Sequence, residues 1–153
     1  MLRRQVVRSW TKPDGSPMSV AFHPTPKDEL HLSTDRERIE AEESFRRYES
    51  REGVAPAATW PVPVGTVLDA HLCLAEPPRS SAELHILDDG GTGSRPDGHA
   101  SIVFAGEYEG VHSTSQLRKV NERLATEIKK EAVRLGPLFT AQSDPEEAPE
   151  APG

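Results

Sequence analysis

The sequence predicts an α+β fold, a small mixed or antiparallel sheet of about five or six strands with two main helices. Three observations carry that expectation. Short apolar runs broken by prolines and glycines recur up to residue 105, as short strands and tight turns require. Leu117, Val120, Leu124, Ile128 and Leu135 then repeat at helical spacing. Strand-like and helix-like segments follow one another in mixed order, without the regular alternation of a doubly wound parallel sheet.

Residues 5–10 read as a first strand, stopped by a turn in which Pro13 presets φ and Gly15 tolerates φ > 0. Residues 18–22 read as the returning strand of a hairpin. Pro24 and Pro26 end it, because neither donates a ladder hydrogen bond. Residues 30–33 form a third, short strand. A helical pattern spans residues 36–51, where Ile39, Phe45 and Tyr48 share a face and Glu42–Arg46 and Glu43–Arg47 are i,i+4 pairs. Thr34 or Asp35 is its candidate N-cap and Gly53 its candidate stop. Residues 58–67 resume extended structure, as an edge strand or an irregular one, since Pro61 and Pro63 interrupt a ladder. Residues 68–74 fit a strand or a short helix, and residues 82–87 alternate as a strand. Residues 88–98 form a glycine-rich mobile loop, followed by a strand over residues 99–105. A helix over residues 116–135 closes the fold, capped by residues 113–115 and stopped at Gly136 and Pro137.

Length and composition place one α+β domain at residues 1–140. Residues 141–153 carry proline, glutamate and alanine without an apolar face, which predicts a disordered acidic tail. The formal net charge of −7 is spread along the chain and disfavours general attraction to nucleic acid or anionic lipid. The lone cysteine, Cys73, excludes an internal disulfide framework and fits a reducing cytoplasm. No apolar run approaches the length of a membrane span, and no hydrophobic region follows Arg3 and Arg4 as a secretory signal requires.

The richest polar segment runs from Phe22 to Arg36. Lys27 and Asp28 follow a proline-punctuated turn, and Ser33, Asp35 and Arg36 close a short strand and lead into a helix, whose first N–H groups favour anions. The plain alternative is local chemistry, with Asp35 as a cap, Lys27 and Asp28 on a loop, and Arg36 paired with a nearby glutamate. His99 joins this candidate binding set because it stands between the glycine-rich loop and a strand, where a side chain can face a cleft. The histidines lack any close pair at zinc spacing, so no metal is expected. Gly90, Gly91 and Gly93 are followed by Arg95 and Pro96 rather than by a helix or a Lys-Ser/Thr pair, so no phosphate-cradling fingerprint is matched. No serine sits in a nucleophile-elbow context, and the aromatics are too scattered for a base-stacking platform. No catalytic set and no cofactor are implied.

The pattern Phe22-x-Pro24-x-Pro26-Lys27-Asp28, then Leu32-Ser33-x-Asp35-Arg36 and Ser44-Phe45, resembles a family of small uncharacterised bacterial proteins. Further islands of the likeness are Pro63-Val-Gly65, Pro96-Asp-Gly-His-Ala100 and the basic helix from Lys119 to Gly136. The resemblance implies that Lys27, Asp28, Ser33, Asp35, Arg36 and His99 belong to one site, and it carries no activity with it. A second resemblance, through Leu32-Ser-Thr34, a helix over residues 38–50 and the extended Trp60 to Val64, is to the core of ADP-ribosyltransferases. Those enzymes bind NAD with an early Arg or His, a strand-borne Ser-Thr and a late catalytic Glu. Arg8 and Ser33 match the first two, whereas Glu107 and Glu109 fall in a turn region and Glu127 in a helix. The function expected from the sequence is a non-enzymatic binding or regulatory protein acting through a protein partner. An ADP-ribosyltransferase-like, NAD-using enzyme is the alternative.

Overall fold

The computed structural model describes residues 1–24, 29–51, 53, 55–93 and 95–141. Among them six strands form one antiparallel sheet: β1 (Leu2–Val7), β2 (His31–Arg36), β3 (Pro56–Val62), β4 (His85–Leu87), β5 (His99–Val103) and β6 (Phe139–Thr140), in the order β4-β5-β2-β1-β3-β6. Two longer helices, α1 (Ala41–Glu49) and α3 (Thr114–Leu135), and the short α2 (Val64–Asp69) complete an α+β fold.

Register sorts the side chains into two faces, because residues paired across an antiparallel ladder point the same way. Arg3 faces Asp35, Gln5 faces Thr59, Asp35 faces His99 and Ser33 faces Ser101, so one face is polar. The other face carries Leu2, Val6, Leu32, Trp60, Val62 and Ile102, all buried. Helix α3 covers this apolar face. Ser113 accepts a hydrogen bond from the Gln116 N–H at 3.1 Å to start the helix, and Gly136 ends it at φ +84°. Its Leu124, Ala125, Ile128 and Ala132 are fully buried, each large aliphatic contributing about 1.5–3 kcal/mol by removal from water. Leu135, expected on the same stripe, is exposed at the last turn.

Helix α1 packs on the polar face, chiefly against β1, β3 and β6. A polar relay fixes it there. The Ser44 hydroxyl donates to Asp35, Gln5 Nε2 donates to Ser44 Oγ at 2.5 Å, and the Thr59 hydroxyl lies 2.9 Å from Gln5 Oε1 and 3.1 Å from the Ala41 carbonyl. Phe45 adds an aromatic contact with Phe139 of β6, centroids 5.0 Å apart.

Several local expectations are corrected. Residues 18–22 are not a strand: Ser19–Phe22 is a 3₁₀ turn that buries Ala21 and Phe22. The hairpin stops after one bridge, Thr11 with Pro17, because Pro17 has no N–H to extend a ladder. The first strand is Leu2–Val7, and Arg8–Trp10 is a 3₁₀ turn. Thr34 and Asp35 are strand residues rather than caps. The Thr34 hydroxyl donates to the Ala100 carbonyl at 2.8 Å, and the helix starts only at Ala41, after a turn closed by Ile39 N–H and the Arg36 carbonyl. Extended structure ends at Val62, where Pro63 leads into α2 and then a 3₁₀ turn over Ala70–Cys73. Lys27, Asp28 and the predicted tail beyond Ala141 lie outside the described residues.

Candidate functional site

The β2 side of the polar face floors a cavity of about 680 Å³. Ser33 and Asp35 of β2 and His99 of β5 line it from below, Arg47, Tyr48 and Arg51 from α1 and the turn after it, and Arg95 and Pro96 from the loop between β4 and β5. Trp10, His23 and His31 close the opposite end. Burial pushes the His23 imidazole below its ordinary value, with Glu122 opposing and Lys129 adding to the effect.

The cluster around His99 follows from strand register. Leu87 pairs with Ser101, so two residues further on Asp89 stands opposite His99, and the intervening loop leaves and returns at one point. Gly90 lies against the backbone there: a Cβ on it would sit 2.8 Å from both Gly98 N and His99 N, so only glycine fits. Asp89 Oδ1 accepts from His99 Nδ1 at 2.5 Å, and Asp89 Oδ2 accepts the Ser101 hydroxyl at 2.7 Å. Arg95 Nε lies 3.1 Å from the same Oδ2, and its NH1 donates to His99 Nε2 at 3.3 Å. With Nδ1 donating and Nε2 accepting, these partners assign a neutral imidazole. Burial pushes the Asp89 carboxyl up, but the hydrogen bonds from His99 and Ser101 and the positive charge of Arg95 outweigh it, leaving the group below its usual range. Side chains of both partners are nearly enclosed, at 9% and 10% exposure.

Bonds across the cleft tie α1 to this loop. Arg47 donates to the Asp97 carbonyl at 2.7 Å, and Arg38 grips the Asp97 carboxylate through both terminal nitrogens at 3.1 and 2.6 Å. The Arg38 pair holds the Asp97 carboxyl below its ordinary value. Arg3 donates to the carbonyls of Ile39 and Glu37 at 2.6 and 3.2 Å, fixing the turn before α1.

Of the residues expected to share a site, Ser33, Asp35 and His99 line this one cavity. Arg36 does not: it points to the opposite face, pairs with Asp88 at 2.6 Å rather than with a glutamate, and borders a smaller groove with Leu2, Val64 and Leu68. Asp89, Arg95, Ser101 and Ser44 were not anticipated. Asp89 and His99 are far enough apart in sequence that only the pairing of β4 with β5 reveals them as neighbours.

Among the described residues the lining holds Arg3, Arg4, Arg47, Arg51 and Arg95 and one carboxylate, Asp35. The Ser33 hydroxyl and the His31 ring make no hydrogen bond among the described residues and remain open to a ligand. Arg8 lies outside the lining, and among the described residues no glutamate contributes to it. Among the described residues no group of three or more His, Cys, Asp and Glu is placed to hold a metal ion, and no helix is long and apolar enough to cross a membrane. No family model, curated protein sequence or solved structure matches the chain.

Proposed function

We propose that this chain is a non-enzymatic binding or regulatory protein that takes an acidic segment of a protein partner into the cleft between α1 and the 88–98 loop. One observation carries the reading: among the described residues the cavity lining holds five arginines and one aspartate, two of the arginines (Arg47 and Arg95) being paired with Glu43 and Asp89 behind it, in a chain whose net charge is −7. Such segregation concentrates positive potential where a short anionic segment fits, while the acidic remainder disfavours long polyanions such as DNA or RNA. Trp10 and Tyr48 at the cavity wall supply the aromatic anchors that dominate protein interfaces. The lone Cys73, half-buried, suits a reducing cytoplasm, where we place the protein. NAD-linked ADP-ribosyl transfer draws support only from Ser33, since Arg8 and the described glutamates lie outside the lining.

A photo-crosslinking side chain at Tyr48 tests the reading against the same probe at Lys130, on the exposed face of α3. In cell extract the Tyr48 probe is expected to give a discrete adduct that Arg51→Glu suppresses. An adduct pattern identical at both positions overturns the reading.

A further inference from the structure

At the inner end of the cleft the fixed charges cancel. Asp89 is matched by Arg95 at 3.1 Å, and Asp35, which faces Arg3 across β1 and β2, already takes the Ser44 hydroxyl. Arg47 reaches over from α1 and is engaged by Glu43 at 3.0 Å and the Asp97 carbonyl at 2.7 Å. Among the described residues, these are the charged groups that hydrogen bonds, ion pairs and strand pairing place beside His99. With His99 neutral the inner end has little net charge to offer an anion. One proton on Nε2, taken up with the ligand, changes that.

Resting on the reading of the cleft as the ligand site, we propose that His99 and Arg95 form a phosphate-monoester pocket that binds its ligand together with a proton. Arg95 NH1 donates to His99 Nε2, so Nε2 occupies the acceptor position that a phosphate oxygen would take. When a phosphate enters, Arg95 donates to one oxygen. Nε2 takes up a proton from solvent and donates to a second. Asp89, held behind Nδ1 at 2.5 Å, stabilises the resulting imidazolium in the way a buried aspartate does behind a catalytic histidine. A planar carboxylate is satisfied by the arginine fork alone and needs no proton. A phosphate carries close to two negative charges and three acceptor oxygens, and therefore draws on both cations. The Ser33 hydroxyl, without a partner among the described residues, is available on the cavity floor for the remaining oxygen.

The test is isothermal titration of the full chain at pH 7.5, where a phosphate ester is mostly dianionic, in two phosphate-free buffers of different ionisation enthalpy. The probes are a blocked Gly-Gly-phosphoserine-Gly-Gly peptide, its glutamate twin and inorganic phosphate. The phosphopeptide is expected to bind at least tenfold tighter than its glutamate twin and to take up close to one proton per site. Arg95→Gln should weaken it at least tenfold, and His99→Gln should abolish proton uptake. Should His99→Gln fail to fold, Asp89→Asn serves instead, because it keeps the shape of the cluster and withdraws the charge behind the imidazolium. Equal binding of phosphopeptide and glutamate twin without proton uptake overturns the phosphate pocket and leaves the acidic-segment reading standing. Binding of inorganic phosphate as tight as the phosphopeptide, with proton uptake, supports the pocket but overturns a protein segment as its source. Absence of binding by all three probes overturns the pocket, while the Tyr48 crosslink decides the acidic-segment reading separately.

Discussion

Asp89 and His99 meet at 2.5 Å because they stand opposite each other where the paired strands β4 and β5 part, so the contact is built by the sheet and not by the loop between them. Removing the carboxylate strands two buried donors, His99 Nδ1–H and the Ser101 hydroxyl, and an unsatisfied buried group costs about 1–3 kcal/mol. Asp89→Ala is therefore expected to lower the urea unfolding free energy by about 2–5 kcal/mol. A midpoint matching the wild type would mean that the cluster is not formed in solution.

Acid titration gives a second handle on the same group. The Asp89 carboxyl is held below its ordinary value in the folded chain, so its stabilisation is complete above the unfolded value of about 3.9 and is lost as pH falls through the lower folded value. Urea unfolding at pH 7, 4 and 3 should show Asp89→Asn less stable than wild type at pH 7, with the gap narrowing at pH 3. A gap that widens on acidification contradicts the sign.

The docking of α3 is tested by a neighbouring pair. Leu124 is fully buried against the sheet, and Leu124→Asp places a carboxylate in an apolar seam at a cost of several kcal/mol, on the order of a domain's total stability. Arg123 is exposed and makes one bond, to the Cys73 carbonyl at 2.9 Å, so Arg123→Ala should lose only about 0.5–1.5 kcal/mol. Thermal melting monitored by circular dichroism separates the two, and equal melting temperatures would remove α3 from the core.

Gly98 predicts a backbone effect. It adopts φ +82°, and a Cβ there would fall 2.5 Å from Cγ1 of the buried Ile39. Gly98→Ala is expected to destabilise by more than the roughly 1–2 kcal/mol of left-handed strain alone, because Ile39 must also move. Denaturant midpoints of Gly98→Ala and the unobstructed Gly91→Ala, which shares the positive φ, isolate the steric part.

What the sequence made legible was the set of regularities that local pattern controls. The apolar repeat of α3, its Ser113 cap and Gly136 stop depend on residues close in sequence, and they are where the pattern puts them. The i,i+4 pairs of α1 form as spacing dictates, Arg47 with Glu43 at 3.0 Å and Arg46 with Glu42 at 3.6 Å. The failures lie where tertiary pairing overrides local chemistry. Thr34 and Asp35 have cap-like side chains, but β5 draws them into a ladder and gives Thr34 the Ala100 carbonyl. Residues 18–22 alternate like a strand, yet Phe22 is needed in the core and the backbone coils to put it there. At the site, His99, Ser33 and Asp35 were visible as polar residues near strand ends. Asp89 was not, because one aspartate in a glycine-rich loop looks like any other until β4 sets its register.

The contact of Gly90 with the backbone of Gly98 and His99 has a consequence for how this surface can be altered. Because the chain returns on itself there, Gly90 and Gly98 are the two feet of a hoop, fixed independently of its length. Gly91 and Gly93 are exposed with open space around them, and doubling a loop's length costs only about 0.6 kcal/mol in closure entropy. The hoop is thus a natural place to graft a peptide epitope or a fluorescent tag, after Gly93, with the imidazole beneath it still seated on its aspartate.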